Sequence, residues 1–182
     1  MRKGKKSMKK LTTALIAVIV LLSGCGKAKT AVEQFSTYDL DKNEISQEIF
    51  LGKKLTMLNV WATFCGPCLE EMPYLGELSV ELARSDVQIL GLVADVMDQK
   101  GVILSDQVNY AQQLVLKTGA VYTHLLPSDG FLTDLLSSVY AVPTTFFFDS
   151  RGNHVGEPVL GSKNKMGWES EINARLELLN EK

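Results

Sequence analysis

Apolar residues gather in this chain as two nearly continuous runs and several spaced ones. Leu55–Trp61 (Leu-Thr-Met-Leu-Asn-Val-Trp) and Val87–Ala94 (Val-Gln-Ile-Leu-Gly-Leu-Val-Ala) are the continuous runs, as strands buried on both faces should be. Between them Met72, Leu75, Leu78 and Leu82 recur at three- and four-residue steps, which predicts a helix over Pro67–Arg84 with one apolar face. Pro73 lies inside it and removes the bond to the Leu69 carbonyl, so a kink is expected. Val108, Ala111, Leu114 and Val115 predict a helix over Asp106–Thr118 that stops at Gly119. Trp168, Ile172, Leu176 and Leu179 predict a closing helix over Trp168–Asn180. Val121–Leu126 reads as a short strand and Phe131–Ser138 as a short helix. Thr144–Asp149 and His154–Leu160 flank Ser150-Arg151-Gly152-Asn153 as a hairpin, and Phe35–Asp39 and Glu44–Ser46 flank a turn as another. Residues 95–105 show no clear period. The order predicts an α/β domain: a mixed central β-sheet flanked by helices, with an N-terminal β-hairpin extension.

The first residues belong to a different regime. Arg2, Lys3, Lys5, Lys6, Lys9 and Lys10 precede an apolar stretch, Leu11–Leu22, broken only by Thr12 and Thr13. That is the pattern of a signal peptide, with an apolar run short for a membrane span. Leu22-Ser23-Gly24-Cys25 follows, and it is similar to a bacterial lipobox. The resemblance implies cleavage before Cys25 and a lipid on its sulfur. An ordinary signal peptide or an uncleaved anchor are the other readings. The expected organisation is a lipoprotein signal peptide over 1–24, a small, polar lipidated tether over 25–34, and one domain over 35–182. Loss of residues 1–24 removes six of 19 basic residues and none of the 21 acids, so the mature chain carries about −8. That charge disfavours nucleic-acid binding.

The chemistry sits where the first core strand meets its helix. Cys65 and Cys68 are separated by Gly66-Pro67 at that junction. Unpaired N–H groups and the helix dipole favour a thiolate over a thiol there. Pro67 fits a first turn. Cys68 can then attack a mixed disulfide formed on Cys65. Half a zinc site is one alternative, but Cys25, His124 and His154 lack ligand spacing. A structural disulfide is another. The exchange chemistry runs on two sulfurs, so no cofactor and no metal are expected.

The pattern Trp61-Ala62-x-x-Cys65-Gly66-Pro67-Cys68, with Pro73 beyond it, resembles the active site of thioredoxins. The longer pattern Cys65-x-Pro67-Cys68-x-x-Glu71-x-Pro73 resembles the extracytoplasmic TlpA/ResA-type branch, over about residues 35–180. The resemblance implies a thioredoxin-like fold, Cys65 as nucleophile and the more exposed sulfur, and Cys68 as the buried resolving thiol. Asn59 stands where thioredoxins carry a buried aspartate, and an amide cannot act as a base near neutral pH. Glu71, one helix turn past Cys68, is expected to supply the missing carboxylate, whereas Glu70 points elsewhere. Most X–Pro bonds are trans. The resemblance instead implies a cis Pro143 facing the cysteines, with Val142 free to pair with a passing peptide and Trp61 forming part of that platform; plain core packing is the other reading of Trp61. His124 and His154 read as surface or strand residues rather than ligands.

These features imply an enzyme: a thiol–disulfide oxidoreductase held by lipid on the outer side of the bacterial cell membrane. Its expected partners are disulfide-containing exported proteins, apocytochrome c among them, and, as the resemblance implies, a CcdA-type membrane electron donor. A copper-binding Sco-like module and a thiol peroxidase are the alternatives on the same fold. Sco-type proteins space their cysteines differently, and Thr63 stands only two residues before Cys65, unlike a peroxidase Thr-x-x-Cys.

Overall fold

The computed structural model describes residues 32–128 and 130–180. The expected signal segment, Cys25 and the expected tether up to residue 31 lie outside the described residues. Seven strands and four α-helices follow in order: β1 (Ser36–Tyr38), β2 (Glu44–Ser46), β3 (Leu51–Trp61), α1 (Gly66–Leu82), β4 (Val87–Val93), α2 (Ser105–Thr118), β5 (His124–Leu125), α3 (Phe131–Ser137), β6 (Thr144–Arg151), β7 (Val159–Leu160) and α4 (Lys165–Asn180). β1 and β2 form the expected N-terminal hairpin, and the other five strands form one sheet in the order β5-β4-β3-β6-β7. β4 runs parallel to both β3 and β5, whereas β6 is antiparallel to β3 and β7, so the sheet is mixed. This is the thioredoxin-like arrangement.

The two-residue period of β3 divides the core. Leu58 and Val60 face one side, where they meet Leu90, Leu92, Phe146, Phe148 and the buried face of α3. Leu55 and Met57 face the other, against Leu75 and Leu78 of α1 and Trp168 and Ile172 of α4. Asn59 shares the second face by parity and so points at the two helices. Its cross-strand neighbours are Gly91 on β4 and Thr145 on β6, and Gly91 is in turn opposite His124. One row of small and polar residues thus crosses an otherwise apolar sheet beneath α1.

Four expectations change. β3 starts at Leu51 rather than Leu55, with a register irregularity between the two. The strand expected over Val121–Leu126 shrinks to His124–Leu125, with Tyr122 turned into the interior. The second arm of the last hairpin pairs at Phe148–His154 and again over β7, and Asp149 closes its turn by accepting N–H bonds from Arg151 and Asn153. The domain's packing also begins at Val32, inside the stretch read as tether. Its N–H donates to the Gly152 carbonyl at 3.1 Å, and it is buried in the same cluster as Phe35, Phe50, Phe131 and Phe148.

Gly91 is the one strand position where the row demands glycine. A Cβ built there would lie 2.1 Å from His124 Nδ1, inside any tolerable contact. Gly91→Ala should therefore destabilise the fold by about 1–3 kcal/mol, the usual cost of overpacking. A denaturant midpoint that falls with an unchanged slope is the expected measurement.

Candidate active site

The reactive pair is set by the end of β3. After Trp61 the chain turns, Cys65 N–H bonds the Ala62 carbonyl at 3.0 Å, and α1 starts at Gly66 with Cys65 as its N-cap. A disulfide links Cys65 and Cys68. Cys65 keeps 5% of its surface exposed and Cys68 none. The Cys68 N–H points at Cys65 Sγ from 3.2 Å, a donor already aimed at the atom that would bear charge once the pair is reduced. Pro67 occupies the first turn as its missing N–H allows.

The loop before Cys65 is fixed by a cluster that the sequence pattern did not reveal. Asp95, just past β4, accepts the Thr63 N–H at 3.0 Å and the Thr63 hydroxyl at 2.6 Å. Gln107 of α2 donates to both Thr63 Oγ1 and Asp95. A carboxylate directly after a buried strand was the available signal. Phe64, 78% exposed beside the disulfide, was also passed over. An aromatic side chain on a loop with no core to fill was its signal.

Opposite the sulfurs lies the turn before β6. The Val142–Pro143 peptide bond is cis. Cys65 Sγ is 3.6 Å from the Val142 carbonyl oxygen, and Pro143 is buried. Among the described residues, neither the Val142 N–H nor its carbonyl pairs with another backbone group.

Trp61 takes the other reading open to it and packs in the core. It has no exposed surface, and its indole N–H donates to His124 Nδ1 at 3.0 Å. The ring is a wall of the core behind the disulfide, because its parity on β3 turns it inward with Asn59. His124 is a strand residue, on β5, and it is buried: its other nitrogen bonds the Ala120 carbonyl at 2.8 Å, and Tyr122 stacks on its face at 4.4 Å. Nδ1 accepts, so Nε2 carries the proton and the ring is neutral. Burial pulls its pKa down to about 4. His154 is exposed beside Phe148.

Glu71 is buried, 1% exposed, on the face of α1 that follows Cys68, whereas Glu70 is exposed. Its Oε1 accepts from Asn59 Nδ2 at 2.9 Å. Its Oε2 accepts from Trp168 Nε1 at 3.0 Å and from the Lys163 N–H at 3.1 Å. Loss of water outweighs these three bonds and lifts the Glu71 pKa from 4.5 to about 7. The Lys163 side chain is held by Glu171 at 3.3 Å. A cleft lined by Glu70, Tyr74, Ser162, Lys163 and Asn164 reaches Glu71 from solvent. The structure thus brings Cys65, Cys68, Glu71, Val142 and Pro143 together and moves Trp61 behind them. Among the described residues, no group of three His, Cys, Asp or Glu could hold a metal ion.

A Redoxin family model matches residues 27–157. The chain belongs to the Redoxin family. This redoxin is 28% identical over 169 residues to the thiol-disulfide oxidoreductase ResA of Bacillus cereus, covering 83% of this chain and 90% of ResA. It is 33% identical over 130 residues to the thiol:disulfide interchange protein DsbE of Vibrio cholerae, covering 69% of this chain and 60% of DsbE. Among solved structures, MTB dsbF in its mixed oxidized and reduced forms superposes with a TM-score of 0.62 at 27% identity, over 84% of this chain and 99% of dsbF. With a Cys65–Cys68 disulfide at the helix start of this fold, the redoxin is a thiol–disulfide oxidoreductase of the ResA/DsbE type.

The Glu71 shift has a measurable sign. A carboxyl whose pKa is higher folded than unfolded binds its proton more tightly when folded. The stability this gives is complete below about pH 4.5 and is lost as pH rises through about 7. Relative to Glu71→Gln, the oxidised protein should therefore lose roughly 3 kcal/mol across that window. Denaturant unfolding of both proteins across the pH range gives the difference directly, and His124 titrates equally in each.

Proposed function

We propose that this redoxin reduces disulfides of exported proteins from a lipid anchor on the outer face of the bacterial cell membrane. The observation that carries the reductase chemistry is a buried carboxyl, poised near neutral pH, one turn beyond the buried sulfur of the pair. In the reduced form, the Cys65 thiolate attacks one sulfur of a substrate disulfide and expels the other as a thiolate, which takes a proton from water. Glu71 takes the Cys68 thiol proton. The Cys68 thiolate then attacks Cys65 Sγ, closes the Cys65–Cys68 disulfide and releases the second substrate sulfur, to which the proton is returned. The substrate gains two electrons and the pair loses them. A dithiol donor restores the pair by the reverse exchange.

The unpaired Val142 backbone suits an extended peptide laid beside the turn before β6, in the manner of an added strand. Phe64, the exposed neighbour of Cys65 in the chain, offers that peptide an apolar contact. Apocytochrome c is one exported substrate class that fits, and a CcdA-type membrane carrier is the expected dithiol donor. A copper module is less well supported, because both ring nitrogens of His124 are engaged inside the core. A thiol peroxidase is less well supported too, because the Thr63 hydroxyl is committed to Asp95 and Gln107.

Cys65→Ser should abolish reduction of insulin disulfides by a chemical dithiol. Cys68→Ser should accumulate mixed disulfides on Cys65, since attack proceeds and resolution does not; non-reducing gels with mass spectrometry read both. Trapping by Cys65→Ser instead would reverse the two roles.

In this reading the anchor is Cys25, on the strength of the lipobox-like Leu22-Ser23-Gly24-Cys25; no helix among the described residues is long and apolar enough to cross a membrane. Mass spectrometry of the mature N-terminus from the native host should find a lipid-modified Cys25 as the first residue. Cys25→Ser should abolish lipid labelling and release the protein or block its processing. An intact segment 1–24 on the wild-type protein overturns the anchor and leaves the redox assignment standing.

A further inference from the structure

The carboxyl of Glu71 has two oxygens in unequal settings. Oε2 accepts from the Lys163 backbone N–H and the Trp168 indole N–H, two donors that cannot become acceptors. A proton taken up by Glu71 therefore has no place on Oε2. It belongs on Oε1, and Oε1 faces the Asn59 amide nitrogen at 2.9 Å. An O–H directed at an N–H₂ puts hydrogen against hydrogen, and turned away from it the O–H meets no acceptor among the groups bonded to Glu71, all of which are donors. Meanwhile Asn59 Oδ1, buried in the same place, has no hydrogen-bond partner among the described residues. An acceptor is thus missing from one side of the amide and unused on the other.

We propose that Asn59 is a reversible partner of Glu71, its carboxamide turning over each time the carboxyl gains or loses a proton. This rests on Glu71 as the proton carrier of the pair and adds the residue that lets it hold the proton. With Glu71 ionised, Asn59 Nδ2 donates to Oε1 and to Thr145 Oγ1, the latter at 3.1 Å. With Glu71 protonated, Asn59 Oδ1 accepts from Oε1–H, and the Thr145 hydroxyl turns to donate instead of accept. The oxygen and nitrogen ends of an amide have nearly the same shape, so both orientations fill the same space, and the turn exchanges an unpartnered Oδ1 for an Nδ2 that faces the place it leaves. Thr145 suits the task because a hydroxyl serves in either role, and it shares the cross-strand row with Asn59. The proton balance is simple: the Cys68 thiol gives its proton to Oε1, negative charge passes from carboxylate to sulfur, and the amide follows. Asn59 acts through Glu71 and is a positioning residue.

The other groups facing Glu71 are accounted for. Lys163 is paired with Glu171, and Glu70 lies on the solvent side of the cleft. Cys68 is the proton donor on the same helix. Tyr122, packed between α1 and His124, has a buried hydroxyl without a partner among the described residues and lies within reach of the Glu71 charge. Burial and the Glu71 charge both raise its pKa, so it keeps its own proton and cannot take that of Cys68; among the described residues it is the rival hydrogen-bond partner for the Glu71 carboxyl.

Nuclear magnetic resonance on the full chain, reduced and oxidised, tests this. The Glu71 carboxyl carbon and the Asn59 side-chain amide, assigned by its contacts to Thr145, are followed between about pH 5 and 9. The expected result is one shared midpoint for both signals. In Glu71→Gln, whose amide always has hydrogens to donate, the Asn59 signal should stay at its low-pH position at every pH. Tyr122→Phe should leave the Asn59 response intact. A Glu71 carbon that titrates while Asn59 does not follow overturns the switch and spares the proton-carrier reading. A Glu71 carbon that does not titrate in this range overturns both. An Asn59 response lost in Tyr122→Phe overturns the assignment in favour of the tyrosine.

Discussion

A carboxyl group taken out of water must have both oxygens satisfied, and meeting that demand at Glu71 ties this fold together. The first donor comes from the central strand, the second from the first turn of the last helix, the third from the backbone just before that helix. Each is available only if its element is in place: β3 in a register that turns Asn59 toward α1, and α4 docked so that Trp168 reaches under the active-site helix. Removing one partner of such a buried group leaves the others facing an unpaired atom, which costs more than one hydrogen bond. The pair of sulfurs is therefore seated on a helix whose position is checked from three directions.

Desolvation also explains why the interior beneath α1 is close to neutral. It raises the Glu71 pKa and lowers that of His124, since burial penalises the charged form of either. The two groups lie at different points of one polar patch and drift toward the uncharged state from opposite sides. Glu71 stops near 7 because three donors hold part of its charge in place, whereas His124 has its ring nitrogens spent on Trp61 and Ala120. One buried group is left able to change charge in the range where thiols exchange protons, and the other serves as packing.

The reactive pair, its helix, the flanking strands and Glu71 were all legible along the chain, because spacing within one element carries that information. The period of α1 puts Glu71 on the Cys68 side, and the apolar runs give β3 and β4. What spacing cannot give is which residue stands opposite on the next strand. The row His124–Gly91–Asn59–Thr145 depends on register between four strands, so the burial of His124 and the inward turn of Trp61 were hidden. The Thr63–Asp95–Gln107 cluster was hidden for the same reason, as it joins a loop, a strand end and a helix. β5 and β7 were overestimated because short apolar stretches near a sheet edge look like strands whether or not they pair for long.

Val32 is pinned to Gly152, at the far end of β6 from Thr144 and the sulfurs. Seven peptide steps separate Cys25 from Val32, a reach of at most about 25 Å even fully extended. The length of β6 is itself roughly 23 Å. Under the proposed lipid anchor, a tether on Cys25 would be attached at the end of the domain opposite the disulfide, with a reach about equal to the length of β6. Substrates in the surrounding space would meet the sulfurs directly, while a donor embedded in the membrane would be served when the domain tips over on that tether. One short leash would in this way give the two half-reactions different orientations of the same molecule.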